Sequence, residues 1–289
     1  MDRRDTHSYP LLINEAAEYI KKKIEERHGP GFRPEIGCIL GSGLGELGDR
    51  FENPVYVEYS EIPHFPKSTV VGHQGRLVIG EMEGRNVIVM QGRFHYYEGY
   101  SMKRVVFPVY VMKKLGITSL LVTNAAGGMN KTFAAGNLMM ITDHINMTGD
   151  NPLIGPNDPE LGVRFPDMSG IYDKEYRELL RSLSERSEFS EIQLKEGVYV
   201  GVSGPTYLSP AELNMMALVG GDAIGMSTVP EAIVARHAGL RVLGISCITD
   251  MAIAAELEPL THEQVMAVAE RVKPGFIALV RAFLRHMPR

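Results

Sequence analysis

Within nine residues, Gly92-Arg93-Phe94-His95-Tyr96-Tyr97-Glu98-Gly99-Tyr100, the sequence gathers a guanidinium, an imidazole, a carboxylate and three tyrosines. They follow the apolar run Val87-Ile88-Val89-Met90, the pattern of a strand that delivers anion-binding groups at its end. Arg93 can grip two oxygens of one anion in a fork, a geometry lysine lacks, and His95 can add a further donor. The same residues could instead form a structural Arg93–Glu98 ion pair beside a core histidine. The tyrosines weigh against that, because aromatic faces suit a ring or a sugar edge. A second run, Gly41-Ser42-Gly43-Leu44-Gly45, also follows a strand-like segment. Its glycines let backbone N–H groups converge on an anion, and Ser42 adds a hydroxyl. A tight turn without a ligand is the alternative. Together the two runs predict an enzymatic site for phosphate.

Neither run is a nucleotide motif. The Gly-Lys-Ser/Thr ending of a P-loop is missing, which disfavours ATP or GTP hydrolysis. Gly43, Gly45 and Gly48 fit a dinucleotide fingerprint only loosely, and no acidic residue near position 60 clearly ends a second strand. Asn124-Ala125-Ala126-Gly127-Gly128 combines an amide with small residues at a strand end, where a ligand can approach the backbone. Gly225-Met226-Ser227 sets a hydroxyl beside a soft apolar side chain. Asp250 closes a further apolar run and His262 opens a helical one. No histidine pair has metal-ligand spacing and the cysteines are isolated, so no metal site is expected. The absence of a Gly-x-Ser-x-Gly elbow disfavours an ordinary serine hydrolase.

Alternating strands and helices must position these groups. Ile13, Ala16, Ala17, Ile20 and Ile24 recur at helical spacing, and Gly29-Pro30-Gly31 ends that helix. Ile36 to Leu40 reads as a buried strand. Leu77-Val78-Ile79 and Val87 to Met90 flank a Glu83-Gly84 hairpin turn. A helix over about Lys103 to Leu115 follows, then strands at Leu120 to Val122 and Leu138 to Ile141. The stretch from Gly149 to Asp167 is rich in Pro, Gly, Asn and Asp and has no period. Segments of that length are often lids or interface arms. Val198 to Val202 and Val242 to Ile248 are strands, and Pro230 to His237 is a helix. Ser209-Pro210-Ala211-Glu212 and Thr261 with Gln264 are capping boxes. Pro274 is expected to kink or restart the last helix.

Length and composition fit one α/β domain over residues 1–289, with a mostly parallel sheet flanked by helices. Apolar content of 44% with 22% charged residues reads as soluble and globular. The net charge of −5 argues against a nucleic-acid binder. No stretch reaches the roughly 18 apolar residues of a membrane span, and no apolar signal segment follows Met1. Cys38 and Cys247 read as buried free thiols, which fits a reducing cytoplasm.

The runs just quoted, with Gly72-His73-x-Gly75 and Gly225-Met226-Ser227-Thr228-Val229-Pro230-Glu231, resemble the trimeric purine nucleoside phosphorylases and the related methylthioadenosine phosphorylases over about residues 14 to 285. The purine branch is the closer. The resemblance implies a central mixed, mostly parallel sheet of nucleoside phosphorylase type. It implies cleavage of a ribonucleoside by inorganic phosphate, as co-substrate, to free base and ribose 1-phosphate. It also implies a homotrimer and no metal or organic cofactor. Its phosphate site maps onto Ser42, His73, Arg93, His95, the backbone of Ala125, and Ser227. Its ribose site maps onto Tyr97, Met226 and His262, with Phe165 reaching in from a neighbouring subunit. The base end comprises Asn124, Tyr207, Leu208 and Asp250.

The base end is where the chain departs from the resemblance. Members acting on inosine and guanosine carry glutamate where this chain has Leu208, and asparagine where it has Asp250. A 6-oxopurine presents an N1–H that needs an acceptor, and leucine supplies none. A buried unsatisfied donor costs about 1–3 kcal/mol. Adenine carries no proton on N1 and loses less. The expectation is a preference shifted toward 6-aminopurines. The alternatives are a methylthioadenosine phosphorylase, disfavoured by Ala252 and His262, a variant that binds pyrimidine nucleosides, and a non-catalytic nucleoside-binding trimer.

Overall fold

A computed structural model describes residues 9–67, 69–70, 73–257 and 261–288 of the chain. Gly72 and the His262 side chain lie outside the described residues.

Helix α1 (Tyr9–His28) buries Ile13, Ala16, Ala17, Ile20 and Ile24, the five positions its spacing marks, and stops at Gly29 with φ 82°. Strands β1 (Ile36–Ile39), β2 (Glu52–Glu58), β3 (Arg76–Met82) and β4 (Arg85–Gln91) follow. β3 and β4 form the expected hairpin, with Ile79 opposite Ile88 and a turn at Glu83-Gly84 in which both residues have positive φ. Then come α2 (Met102–Leu115), β5 (Ser119–Gly128), β6 (Leu138–Met147), α3 (Lys174–Ser184), β7 (Leu194–Val202), α4 (Pro210–Leu218), β8 (Ala223–Gly225), α5 (Val229–His237), β9 (Arg241–Met251) and α6 (His262–His286). Both capping boxes form, Ser209 with Glu212 and Thr261 with Gln264.

One mixed sheet runs in the order β2-β3-β4-β1-β5-β8-β7-β6-β9, and β9 returns to pair with β5. Half of the sheet is therefore open, while β5, β8, β7, β6 and β9 close on themselves. β1 lies parallel to β4 and β5, β5 to β9, and β7 to β6 and β8. Successive residues of the central strands feed two different cores. Ile39, Ile88 and Val122 face the layer of α1, α2 and α5, whereas Cys38, Val89 and Leu121 face that of α3 and α6. Burial on both faces explains why these strands read as unbroken apolar runs.

Two expectations need correction. β5 and β6 extend well past their apolar runs. Asn124 to Gly128 is strand because β9 and β8 supply its backbone partners, with Ala125 beside Cys247 and Gly128 beside Ala223 and Met251. Pro274 does not restart the last helix: α6 passes through it unbroken. Burial of Phe276, Leu279, Val280 and Phe283 on that helix offsets the proline's cost of about 3 kcal/mol. The stretch from 149 to 167 carries neither helix nor strand and is tied to α5 by Asn157 with His237 and by Asp167 with Arg236. No helix among the described residues is long and apolar enough to cross a membrane.

Candidate functional site

The ends of β1, β4, β5, β8 and β9 meet around one cavity of about 970 Å³. Strand ends are where open α/β sheets place ligands. Gly41 lets the loop after β1 lie directly on β5, since a Cβ there would sit 2.6 Å from the Asn124 Cα. Its N–H donates to Thr123 Oγ1 at 3.0 Å. That contact carries Ser42 to the cavity wall beside Arg93, His95 and Ala125.

Arg93 is 1% exposed and its nitrogens are divided among separate partners. Nε donates to Glu231 Oε1 at 2.9 Å, and Nη1 donates to the Thr123 carbonyl and to Ser227 Oγ, the latter at 3.3 Å. Nη2 is buried with no partner among the described residues. A buried donor left unmade is costly, so Nη2 is a group in need of an acceptor. The Arg93–Glu98 pair considered from sequence does not form. Glu98 instead accepts from the His95 backbone N–H at 2.8 Å and ring Nδ1 at 3.0 Å, and from Thr69 N and Oγ1. Burial pushes the Glu98 carboxyl up, but the hydrogen bonds from His95 and Thr69 outweigh it and hold it at about 2. With a carboxylate on Nδ1, that nitrogen carries the His95 proton, and Nε2 remains for a ligand.

His73 stands behind Ser42. Its Nδ1 lies 3.2 Å from the Arg93 backbone nitrogen and 3.3 Å from the Arg93 carbonyl, and its Nε2 lies 3.4 Å from Ser42 Oγ. Burial, and then the charges of His95 and Arg93, lower this imidazole to about 4, so it is neutral at pH 7. The rings of His73, His95 and Tyr97 stack in series, with centroid separations of 5.5 and 4.7 Å. The series runs from the cationic end of the cavity to its middle. There Tyr97 and Met226 lie together, both crowding the open side of Gly204. Burial pushes the Tyr97 phenol up to about 12, which keeps it a neutral donor.

Thr228 joins the two ends. The Val229 N–H donates to the Ser227 carbonyl at 2.7 Å, which makes Thr228 the centre of a γ-turn with φ 73° and ψ −50°. This is a strained backbone for a β-branched residue, costing on the order of 1–3 kcal/mol. Thr228 Oγ1 accepts from Asn124 Nδ2 at 2.8 Å and lies 3.1 Å from Ser227 Oγ. Asn124 Oδ1 is buried without a partner among the described residues.

At the far end, Asp250 Oδ1 accepts from Thr249 Oγ1 at 2.9 Å. Burial raises its carboxyl above the ordinary aspartate value despite that bond. Leu208 packs against the apolar cluster that contains Leu213, Ile224 and Ala252. Tyr207 stands at the mouth, 60% exposed.

The structure thus gathers Ser42, Arg93, His95, Tyr97, Asn124, Ala125, Tyr207, Leu208, Met226, Ser227 and Asp250 on one cavity, with His73 immediately behind. Phe165 does not join them; it is 88% exposed on the 149–167 stretch. His262 opens α6, with its side chain outside the described residues. Glu231, Glu98 and Thr228 hold Arg93, His95 and Asn124 by hydrogen bonds, and sequence reasoning assigns them no such part. Glu231 carries a usable signal, an acid set among Val229, Pro230, Ala232, Ile233 and Val234 at the start of a helix, where a buried carboxylate needs a cation. No cluster of three or more His, Cys, Asp or Glu that could hold a metal gathers among the described residues. One end offers cations and hydroxyls, the middle a phenol and a thioether, and the far end hydrocarbon beside the Asp250 carboxyl, while Glu256 adds a second carboxylate to the lining. That gradient suits a ligand with an anion, a sugar and a flat base.

Comparison with known proteins gives the same picture. Residues 35–285 match the phosphorylase superfamily. The chain is 54% identical to purine nucleoside phosphorylase 1 of Geobacillus stearothermophilus over 96% of its length and 98% of the relative's. It is 46% identical to the purine nucleoside phosphorylase of Rattus norvegicus over 89% of its length and 90% of the relative's. The Schistosoma mansoni purine nucleoside phosphorylase in complex with adenosine superposes with a TM-score of 0.89 at 38% identity, covering 96% of this chain and 97% of that one. Isoform 2 of the Schistosoma mansoni enzyme, in complex with cytosine and ribose-1-phosphate, has a TM-score of 0.89 at 42% identity and the same coverage.

Proposed function

The chain belongs to the phosphorylase superfamily, as a pentosyltransferase of its purine nucleoside phosphorylase branch, and on that premise we propose that it cleaves purine ribonucleosides with inorganic phosphate and prefers 6-aminopurines. The observation that carries the first part is the gathering of Ser42, Arg93, His95 and Ser227 around one cavity, with the Arg93 guanidinium held there by Glu231. Those groups and the Ala125 backbone hold hydrogen phosphate, with His73 fixing Ser42. Tyr97, Met226 and His262 hold the ribose.

Phosphate oxygen attacks the anomeric C1′ as the C1′–N9 bond breaks, and the electron pair of that bond leaves with the base. The proton of hydrogen phosphate ends on the base, so the products are neutral base and the ribose 1-phosphate dianion. The residues contribute alignment and fixed dipoles, with no covalent side-chain intermediate.

Base preference follows from Asp250 and Leu208. A protonated carboxyl offers one donor and one acceptor. Adenine presents N7 as acceptor and N6–H as donor on one edge, a direct match. Hypoxanthine and guanine present two acceptors there, and their N1–H would face Leu208. Burial, which raises the Asp250 carboxyl, favours the protonated form. A raised group keeps its proton to higher pH than an exposed aspartate. Activity on adenosine is then present below the raised value and lost as pH rises through it. The pH profile of kcat/KM for adenosine should show this alkaline limb, and Asp250→Asn should lack it.

Thr228 is a positioning residue in this scheme. Thr228→Val keeps the shape but removes the acceptor for Asn124, and kcat/KM for phosphate should fall about tenfold. Thr228→Ser should restore most of it. Steady-state kinetics with phosphate varied would read both.

An exposed Phe165 on a stretch anchored to its own subunit supports insertion into a neighbouring site of a homotrimer. Cys38 and Cys247 are free and buried, which suits the cytoplasm. No cofactor enters the scheme. Incubation with adenosine and phosphate tests it: free adenine and ribose 1-phosphate should appear in equal amounts. Ribose without the phosphate ester would overturn it.

A further inference from the structure

The base end of the cavity sets one carboxyl against a hydrocarbon wall. Around the point where a side chain on Gly127 would begin, Ala252 Cβ lies at 2.9 Å, Asp250 Oδ2 at 3.1 Å and Ile224 Cγ2 at 3.6 Å. Leu208 and Leu213 belong to the same apolar cluster as Ile224 and Ala252, and all four line the cavity. Asp250 Oδ1 already accepts from Thr249, so Oδ2 is the oxygen that meets this wall. Of the three atoms nearest this point, Asp250 Oδ2 is the polar one and the other two are carbon; Glu256 adds a second carboxylate to the cavity lining.

That juxtaposition fits a secondary amine better than a primary one. Conjugation holds the exocyclic nitrogen of a 6-alkylaminopurine in the ring plane. The alkyl group turns away from the five-membered ring, toward N1, and the remaining N–H lies beside N7. The N–H and N7 then meet the Asp250 carboxyl, while the alkyl group meets Leu208 and its neighbours. A primary amine leaves its second N–H against leucine, a side chain with no acceptor. Replacing that N–H by carbon removes an unsatisfied donor and buries apolar surface, worth about fourfold per CH₂.

We propose that the enzyme phosphorolyses N6-monoalkylated adenine nucleosides, with the alkyl group seated on Leu208, Leu213, Ile224 and Ala252. The inference rests on the base reading given above. The bonds made and broken are those of adenosine cleavage: C1′–N9 breaks, C1′–O forms, and the phosphate proton ends on the alkylated base.

Initial rates of the full-length enzyme with phosphate, on adenosine, inosine, N6-methyladenosine and N6,N6-dimethyladenosine, test it. N6-methyladenosine should match or exceed adenosine in kcat/KM, within about threefold, and the dimethyl compound, which lacks the N–H, should fall at least about tenfold. In Leu208→Glu the ratio of N6-methyladenosine to adenosine should drop about tenfold. Because both rates come from one preparation, that ratio is insensitive to partial misfolding. Adenosine cleaved with N6-methyladenosine below a tenth of its rate, or the dimethyl compound equal to the monomethyl, would overturn this inference alone. Inosine cleaved with adenosine spared would overturn the base reading and this inference with it.

Discussion

Arg93→Lys lowers kcat/KM for phosphate by about 100-fold and leaves the KM for nucleoside within about threefold. The size follows from how the guanidinium is used. Its Nε is held by Glu231, its Nη1 by the Thr123 carbonyl and Ser227, and its Nη2 is the buried donor without a partner among the described residues. Lysine keeps the charge but carries a single ammonium, which cannot face Glu231, the Thr123 carbonyl and an anion at once. Hydrogen bonds to charged groups are worth about 1.5–3 kcal/mol each, so losing one corresponds to roughly 10- to 150-fold. Arg93→Ala is a poorer test. It strands the Glu231 carboxylate, whose side chain is 3% exposed, and breaking a buried pair costs about 3–5 kcal/mol of stability. Thermal unfolding of Arg93→Lys should shift little compared with Arg93→Ala, while phosphate kinetics show the loss in both.

The Leu208→Glu, Asp250→Asn double variant reverses base preference: inosine and guanosine gain about 100-fold in kcat/KM, and adenosine loses a comparable factor. Glutamate at 208 supplies the acceptor that N1–H lacks. Asparagine at 250 supplies an N–H for O6 or N7 at any pH, whereas the aspartate carboxyl has a donor only while it stays protonated. Each unsatisfied group is worth about 1–3 kcal/mol, or roughly 5- to 150-fold. The two positions serve one base edge, so their effects are not additive and the single variants should fall short of the pair. Leu208 is only half-buried, so a carboxylate there can reach solvent at modest cost to folding. Kinetics of the four enzyme forms on three nucleosides give the cycle.

Much of this site is legible in the amino-acid sequence. Strands buried on both faces announce themselves, as Ile36–Ile39 and Arg85–Gln91 do, and the helix of Ile13 to Ile24 follows from spacing alone. Gly41-Ser42 and Arg93-x-His95 are readable because glycine freedom and an arginine fork are local properties. The remainder depends on contacts distant along the chain. Nothing near Arg93 announces that its partner is Glu231, 138 residues on, rather than Glu98. Asn124 to Gly128 has the small, polar composition of a loop, yet β8 and β9 make it strand. Thr228 is hidden for the opposite reason. A β-branched residue is a poor candidate for positive φ, so the γ-turn contradicts local preference and is held by Asn124 and the Val229 N–H. Such conflicts concentrate where a site needs a side chain aimed against its own backbone.

Initial rates of base release from adenosine, inosine and guanosine, measured in parallel with and without inorganic phosphate, test the central claim most directly. Release should require phosphate, and adenosine should lead both 6-oxopurine nucleosides by about tenfold or more. Release that proceeds equally without phosphate, or inosine or guanosine leading by that margin, would contradict it.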